Sequence, residues 1–110
     1  MAVKSSFQPI DMQSFDSSTM LGTFQSMDAN GLSGDAAVFK MYNASEEDAI
    51  VSFDGVTDHD IVPANGTFIL DCGVYADGRR PAVAKGTQIY LRGTPDTGFI
   101  YVSGYTQMRG

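Results

Sequence analysis

The chain is poor in the residues that most often run chemistry. Its 110 residues hold one cysteine (Cys72), one histidine (His59), four prolines and no tryptophan. A lone cysteine excludes an intrachain disulfide and agrees with assembly in a reducing cytoplasm. One cysteine and one histidine, thirteen positions apart, fall short of a zinc site, which takes two or more such ligands. Positive charge is scarce as well. Seven Lys and Arg stand against thirteen Asp and Glu, for a net charge of −6 and a pI near 4.3. Phosphate-gripping proteins carry a basic face, so nucleic acid is not the expected ligand. An anionic membrane surface is disfavoured on the same ground. No apolar run approaches the length of a membrane span, and the first residues lack the apolar stretch of a signal peptide.

What is present is apolar weight in short pieces. Apolar residues make up 43% of the chain, with seven Phe and five Tyr. That is enough for one modest core and argues against disorder. A single chain of this mass should expose roughly 5,900 Å² once folded, against about 17,000 Å² extended. Partners would help so small a domain.

The pieces alternate with period two. IVSFDG, TFILDC, TQIYLRG and GFIYVSGY each place an apolar residue at every second position and stop at Gly or Asp. In residues 36–42, Ala37, Phe39 and Met41 share one face, with Val38, Lys40 and Tyr42 on the other. Residues 49–53, 61–62 and 67–72 repeat the pattern, separated by an acidic turn, Asp54-Gly55 and Pro63-Ala64-Asn65-Gly66. Residues 19–27 are expected as a further strand. Residues 87–92 and 99–105 are expected to pair as a hairpin across residues 93–98. No stretch has a defensible helical period. The expected fold is all-β: a compact antiparallel β-sandwich or barrel of about seven strands over residues 19–110. Residues 1–18 lack a sustained period and contain Pro9. They read either as a floppy terminus or as an extended N-terminal arm whose spaced Phe7, Ile10, Met12 and Phe15 would lie on a neighbouring subunit.

Candidate sites are few. Asp54, Asp58, His59 and Asp60 within seven residues suggest a cation, but the calcium-loop spacing and its distal Glu are missing; a solvated acidic turn is the simpler reading. Ser103 lacks the glycine two residues earlier that a nucleophile elbow requires. A hydrolase could draw only on Asp58, His59 and Ser103, and nothing in the sequence joins them. Residues 93–98 have glycine spacing without the Lys-Ser/Thr of a phosphate loop. Phe99, Tyr101 and Tyr105 share one strand face, as core, as subunit contact or as a sugar platform. No catalytic residue, metal or cofactor is expected, and the chain reads as a non-enzyme.

Charge is unevenly placed. Residues 44–77 hold eight acids and no cation, while residues 78–110 hold five cations and Asp96 as the one acid, giving segments of −8 and +4. Local neutralisation would explain this, and so would head-to-tail contact. In the second case Glu46, Glu47 and Asp48 of one subunit face Arg79, Arg80 and Arg92 of the next, and the oligomer loosens as salt rises.

The run NASEEDAIVSFDGVTDHDIVPANGTFILDC, followed by KGTQIYLRGTPDTGFIYVSGY, resembles small β-sandwich virion proteins of tailed bacteriophages. The matching blocks are residues 49–55, 62–66, 68–71 and 85–105, in that order, and the N-terminal third lies outside them. The resemblance implies a structural part without cofactor. It would be a head- or neck-associated protein contacting copies of itself and a capsid or connector protein, in a virion assembled in bacterial host cytoplasm. A capsid decoration protein is the alternative. A freestanding carbohydrate-binding or adhesion module, using Tyr90, Tyr101, Tyr105 and the turn acids, is the other.

Overall fold

Period-two alternation folds here into two antiparallel sheets, packed as a sandwich, in a computed structural model that describes residues 5–71 and 83–109. The described strands are β1 (Ser5–Pro9), β2 (Gln13–Asp16), β3 (Gln25–Ser26), β4 (Val38–Asn43), β5 (Ala49–Ser52), β6 (Asp60–Val62), β7 (Thr67–Asp71), β8 (Tyr90–Gly93) and β9 (Phe99–Arg109). The all-β sandwich expected from the sequence is present, with nine described strands rather than about seven.

The first sheet runs β1-β9-β4-β7, with β2 on the same side of β9 as β1 but nearer its start. The second runs β3-β8-β5-β6. Alternation dictates which side chains meet between them. Phe39 and Met41 of β4, Ile100 and Val102 of β9, Val51 of β5 and Leu91 of β8 are fully buried. Phe39 meets Phe53 and Phe68 edge to face, with ring centroids 5.9 and 6.3 Å apart.

Three expectations change. Residues 5–16 do not extend away from the domain: β1 pairs with the far end of β9 and β2 with its beginning. Phe15 points into the core at 9% exposure and Ile10 packs against it, because Gly104 on β9 has no side chain to exclude Ile10. Residues 87–92 and 99–105 are not a hairpin. β8 pairs with β5 and β9 with β4, so residues 94–98 cross from one sheet to the other. The crossing is tied down by Ser17, whose Oγ lies 2.8 and 2.9 Å from the carbonyl oxygens of Asp96 and Gly98. Gly98, at φ +104°, has no room for a Cβ against the Ala44 carbonyl. Finally, residues 19–27 contribute only the two residues of β3. Before it comes a single 3-10 turn, Ser17–Thr19, capped by the Asp16 carboxylate accepting from Ser18 N–H at 3.0 Å.

The molecule is longer than a compact chain of its size. Its radius of gyration is 14.9 Å and its long axis 52 Å, where about 13 Å is usual for a compact fold of this length. Its surface, 6305 Å², exceeds the roughly 5,900 Å² expected from mass. Val38 pairs with Tyr105 at the start of β4, and among the described strands only β1 accompanies β9 beyond that point, through Gln8↔Thr106 to Ser5↔Arg109. Among the described residues, a two-stranded ribbon therefore runs past the sheet.

Candidate functional site

The outward face of the first sheet carries the large side chains. Val102 and Ile100 take the inner positions of β9, which turns Phe99, Tyr101 and Tyr105 outward; Phe99 is 42% and Tyr105 45% exposed. These aromatics are therefore not core. The register brings Tyr42 of β4 opposite Tyr101. Their rings lie 7° from parallel with centroids 6.4 Å apart, and Phe99 continues the row 6.2 Å from Tyr101. Lys40 and Ser103, also cross-strand partners, stand beside them. Together with Met12 and Thr67 they line an open groove of about 450 Å³.

Met12 also borders a second hollow, of about 370 Å³, built from two loops. Asp11 N–H donates to Ser33 Oγ at 2.8 Å, and Gln13 Nε2 donates to the Gly31 carbonyl at 3.0 Å, which fastens residues 11–13 to residues 28–33. Asp28 accepts from Asn30 N–H at 2.9 Å and so holds the turn. Asp11, Asp28, Asn30 and Lys85 reach the same hollow. Gln13 Oε1, on a side chain only 8% exposed, has no partner. Nothing in the sequence singled out Gln13 or Tyr42. The alternation of β4 put Tyr42 and Lys40 outward, but the pairing with β9 that gives them neighbours is not written in either strand.

The residues expected at subunit contacts are dispersed. Phe7 lies on β1, opposite Gln107. Phe15 and Ile10 belong to this chain's own core, and Met12 is 64% exposed. Glu46, Glu47 and Asp48 form an exposed turn at the end of β4. Within it Asp48 accepts from Ala64 N–H at 2.8 Å, and Glu46 N–H donates to Asp96 at 2.7 Å. Arg92 is engaged locally: its guanidinium grips both oxygens of Asp58, at 3.1 and 2.5 Å, and lies over the Phe24 ring. That contact lowers the Asp58 carboxyl and raises the Arg92 guanidinium relative to their ordinary values. For this residue the intramolecular reading of the charge asymmetry applies. Arg79 and Arg80 fall outside the described residues, as does Cys72.

The acidic turn over residues 54–60 organises itself. Asp54 Oδ1 accepts from the backbone N–H of Thr57 and Val56 and from the Ser52 hydroxyl, each at 2.8 Å. Those donors hold its carboxyl far below the usual carboxylate range. His59 Nδ1 accepts from Phe53 N–H at 3.0 Å. Among the described residues, no three His, Cys, Asp or Glu side chains converge on one point that could hold a metal. Asp58 and His59 belong to the loop between β5 and β6 in the second sheet, whereas Ser103 lies on the outward face of the first. The three are not brought together.

Compared with protein-family models, with curated proteins and with solved structures, the chain matches none.

Proposed function

We propose that the chain is a non-enzymatic structural component of a tailed-phage virion, head- or neck-associated, that assembles with copies of itself and with a capsid or connector protein. The family resemblance of residues 43–105 supplies the virion context. The observation that supports assembly is the projecting ribbon of β1 and the end of β9.

Its backbone explains why. Tyr105 O accepts from Ala37 N–H, on the β4 side, and Gly104 O accepts from Ile10 N–H, on the opposite side. In an antiparallel strand both polar groups of a residue point the same way and successive residues alternate. Gln107 and Arg109 thus turn N–H and C=O toward the side β4 has left, where no described strand stands. A two-stranded ribbon is marginal alone in water, and open strand edges recruit further strands. A neighbouring subunit's sheet satisfies both needs. The whole ribbon, rather than an N-terminal arm, is then the assembly element.

Native mass measured by light scattering or native mass spectrometry tests this. The full chain is expected as a defined oligomer, and a chain lacking residues 1–8 as a folded monomer. A full chain that stays monomeric alone and fails to bind phage capsid and connector proteins overturns the reading.

A further inference from the structure

We propose that the two hollows flanking Met12 form one binding site for a neutral carbohydrate. One sugar ring would lie against the Tyr42–Tyr101 pair and the next would sit in the polar hollow. Neither hollow touches the β1–β9 ribbon pairing, so this proposal does not rest on the assembly reading.

The polar hollow fixes the chemical class. Its lining mixes acceptors (Asp11 and Asp28), groups that both donate and accept (Asn30, Gln13 and Ser33) and one ammonium (Lys85). A divalent cation wants oxygen ligands alone and would be repelled by Lys85. An inorganic anion would meet two carboxylates. A sugar hydroxyl donates and accepts at once, and can use both kinds of partner without bringing charge.

Among the described residues Gln13 Oε1, Gln25 Oε1 and Ser26 Oγ are buried without a partner, and of the three residues Gln13 lines the hollow. Its amide nitrogen is spent on Gly31, it is 92% buried, and its oxygen has no donor. A buried acceptor left unpaired costs free energy, so such atoms nearly always have a partner. That oxygen has no accessible surface of its own, so a ligand hydroxyl becomes its partner when the Gln13 amide turns into the hollow it lines.

The walls are built in advance. The bonds from Asp11 to Ser33 and within residues 28–31 hold the loops before any ligand arrives. Gly31, at φ +73°, lies so close to the Gly86 carbonyl that a Cβ would stand 2.2 Å from its oxygen. A preformed pocket avoids ordering costs on binding. Across Met12, the parallel tyrosines, with Thr67 and Ser103 near them, offer an apolar surface edged by hydroxyls. Concave sites of this kind, apolar with a few fixed polar groups, are the usual places for small ligands.

The full chain should be applied to a broad glycan array. The best oligosaccharide should then be titrated into the ¹⁵N-labelled protein, with calcium chloride titrated separately. The expected result is saturable binding, with shifts centred on residues 11–13, 28–33, 42 and 101. Gln13→Met and Tyr101→Ala should each weaken it about tenfold or more, as loss of one buried hydrogen bond or one stacking ring would, while Tyr105→Ala should leave it unchanged. Folding of each variant is read from the same spectra. No binding across the array overturns the proposal. So does calcium alone saturating shifts at Asp11 and Asp28, which would make the hollow a cation site.

Discussion

Asn43 Nδ2 donates to the Val62 carbonyl at 3.1 Å, so a buried amide at the end of β4 in one sheet holds β6 in the other. The same nitrogen donates to the Glu47 carbonyl at 2.8 Å, and Oδ1 accepts from Ser45 N–H and Oγ. Both ends of the amide are satisfied. Replacing Asn43 with Ala should therefore take a donor from the buried Val62 carbonyl and the acceptor from Ser45 N–H, at a cost of about 2–4 kcal/mol. Asn43→Asp, which keeps the acceptor and loses both donors, should also destabilise. Urea unfolding of the two variants against the parent measures this.

Gly31 and Gly86 both have positive φ but differ in space. An alanine at Gly31 meets the Gly86 carbonyl, whereas at Gly86 nothing lies within 4 Å. Gly86→Ala should cost only the backbone penalty of about 1–2 kcal/mol, and Gly31→Ala distinctly more. Equal shifts in thermal midpoint would contradict the close approach.

Acid should weaken both the loop between β5 and β6 and the turn that Asp16 caps. Asp54, Asp58 and Asp16 all have lowered folded-state values. A depressed carboxyl contributes stability that is fully present above its unfolded pKa, about 3.9, and is lost as pH falls through the folded value. Stability should therefore be flat with respect to these groups near neutrality and fall below about pH 4. Asp54→Asn should have a shallower acid limb. Thermal melts between neutral and strongly acidic buffer read the slope; an unchanged limb would dissociate Asp54 from it.

The N-terminal residues split into two parts with different consequences. Removing residues 1–8 takes away most of β1 and should leave a folded sandwich. Removing residues 1–18 also takes Phe15 and Ser17, a core ring and the tie to the sheet crossing. Loss of a buried Phe alone costs about 3–5 kcal/mol, so the longer deletion should fail to fold. Circular dichroism of both shortened chains separates the two outcomes.

Arg92→Ala should leave native mass unchanged, since its charge is spent on Asp58 of the same chain. A salt-dependent oligomer that disappears with this variant would show the guanidinium bridging subunits instead.

How far the sequence was legible follows from the range of the interactions. β4 and β5 could be read almost residue by residue, since inward Phe39 and Met41, then Ala49 and Val51, declare themselves by local alternation. The turns with Asn65-Gly66 and Asp54-Gly55 were legible for the same reason: Asn65 and Gly55 both take positive φ. β2 was not. Its four residues hold one strong apolar, and its partner lies more than eighty positions away on β9. The supposed hairpin over residues 87–105 failed because two alternating strands joined by Gly93-Thr94-Pro95-Asp96-Thr97-Gly98 look alike whether they pair or part. The pairing with β4 and β5, and contacts from Ser17 and Glu46 to the crossing, decide it. The hollow beside Met12 was hidden likewise, since Asp11, Gln13, Asn30 and Lys85 meet only once β2 has found β9.

β9 touches β1, β2 and β4, all of which precede it in the chain. During synthesis the earlier strands of the first sheet must wait, with one side unmatched, until residues 99–109 leave the ribosome. Bringing such distant segments together closes long loops before any pairing repays the lost chain entropy. Folding should accordingly be a late event, and slow for so short a polypeptide. A stalled or C-terminally clipped product would expose bare strands rather than a smaller version of the sandwich.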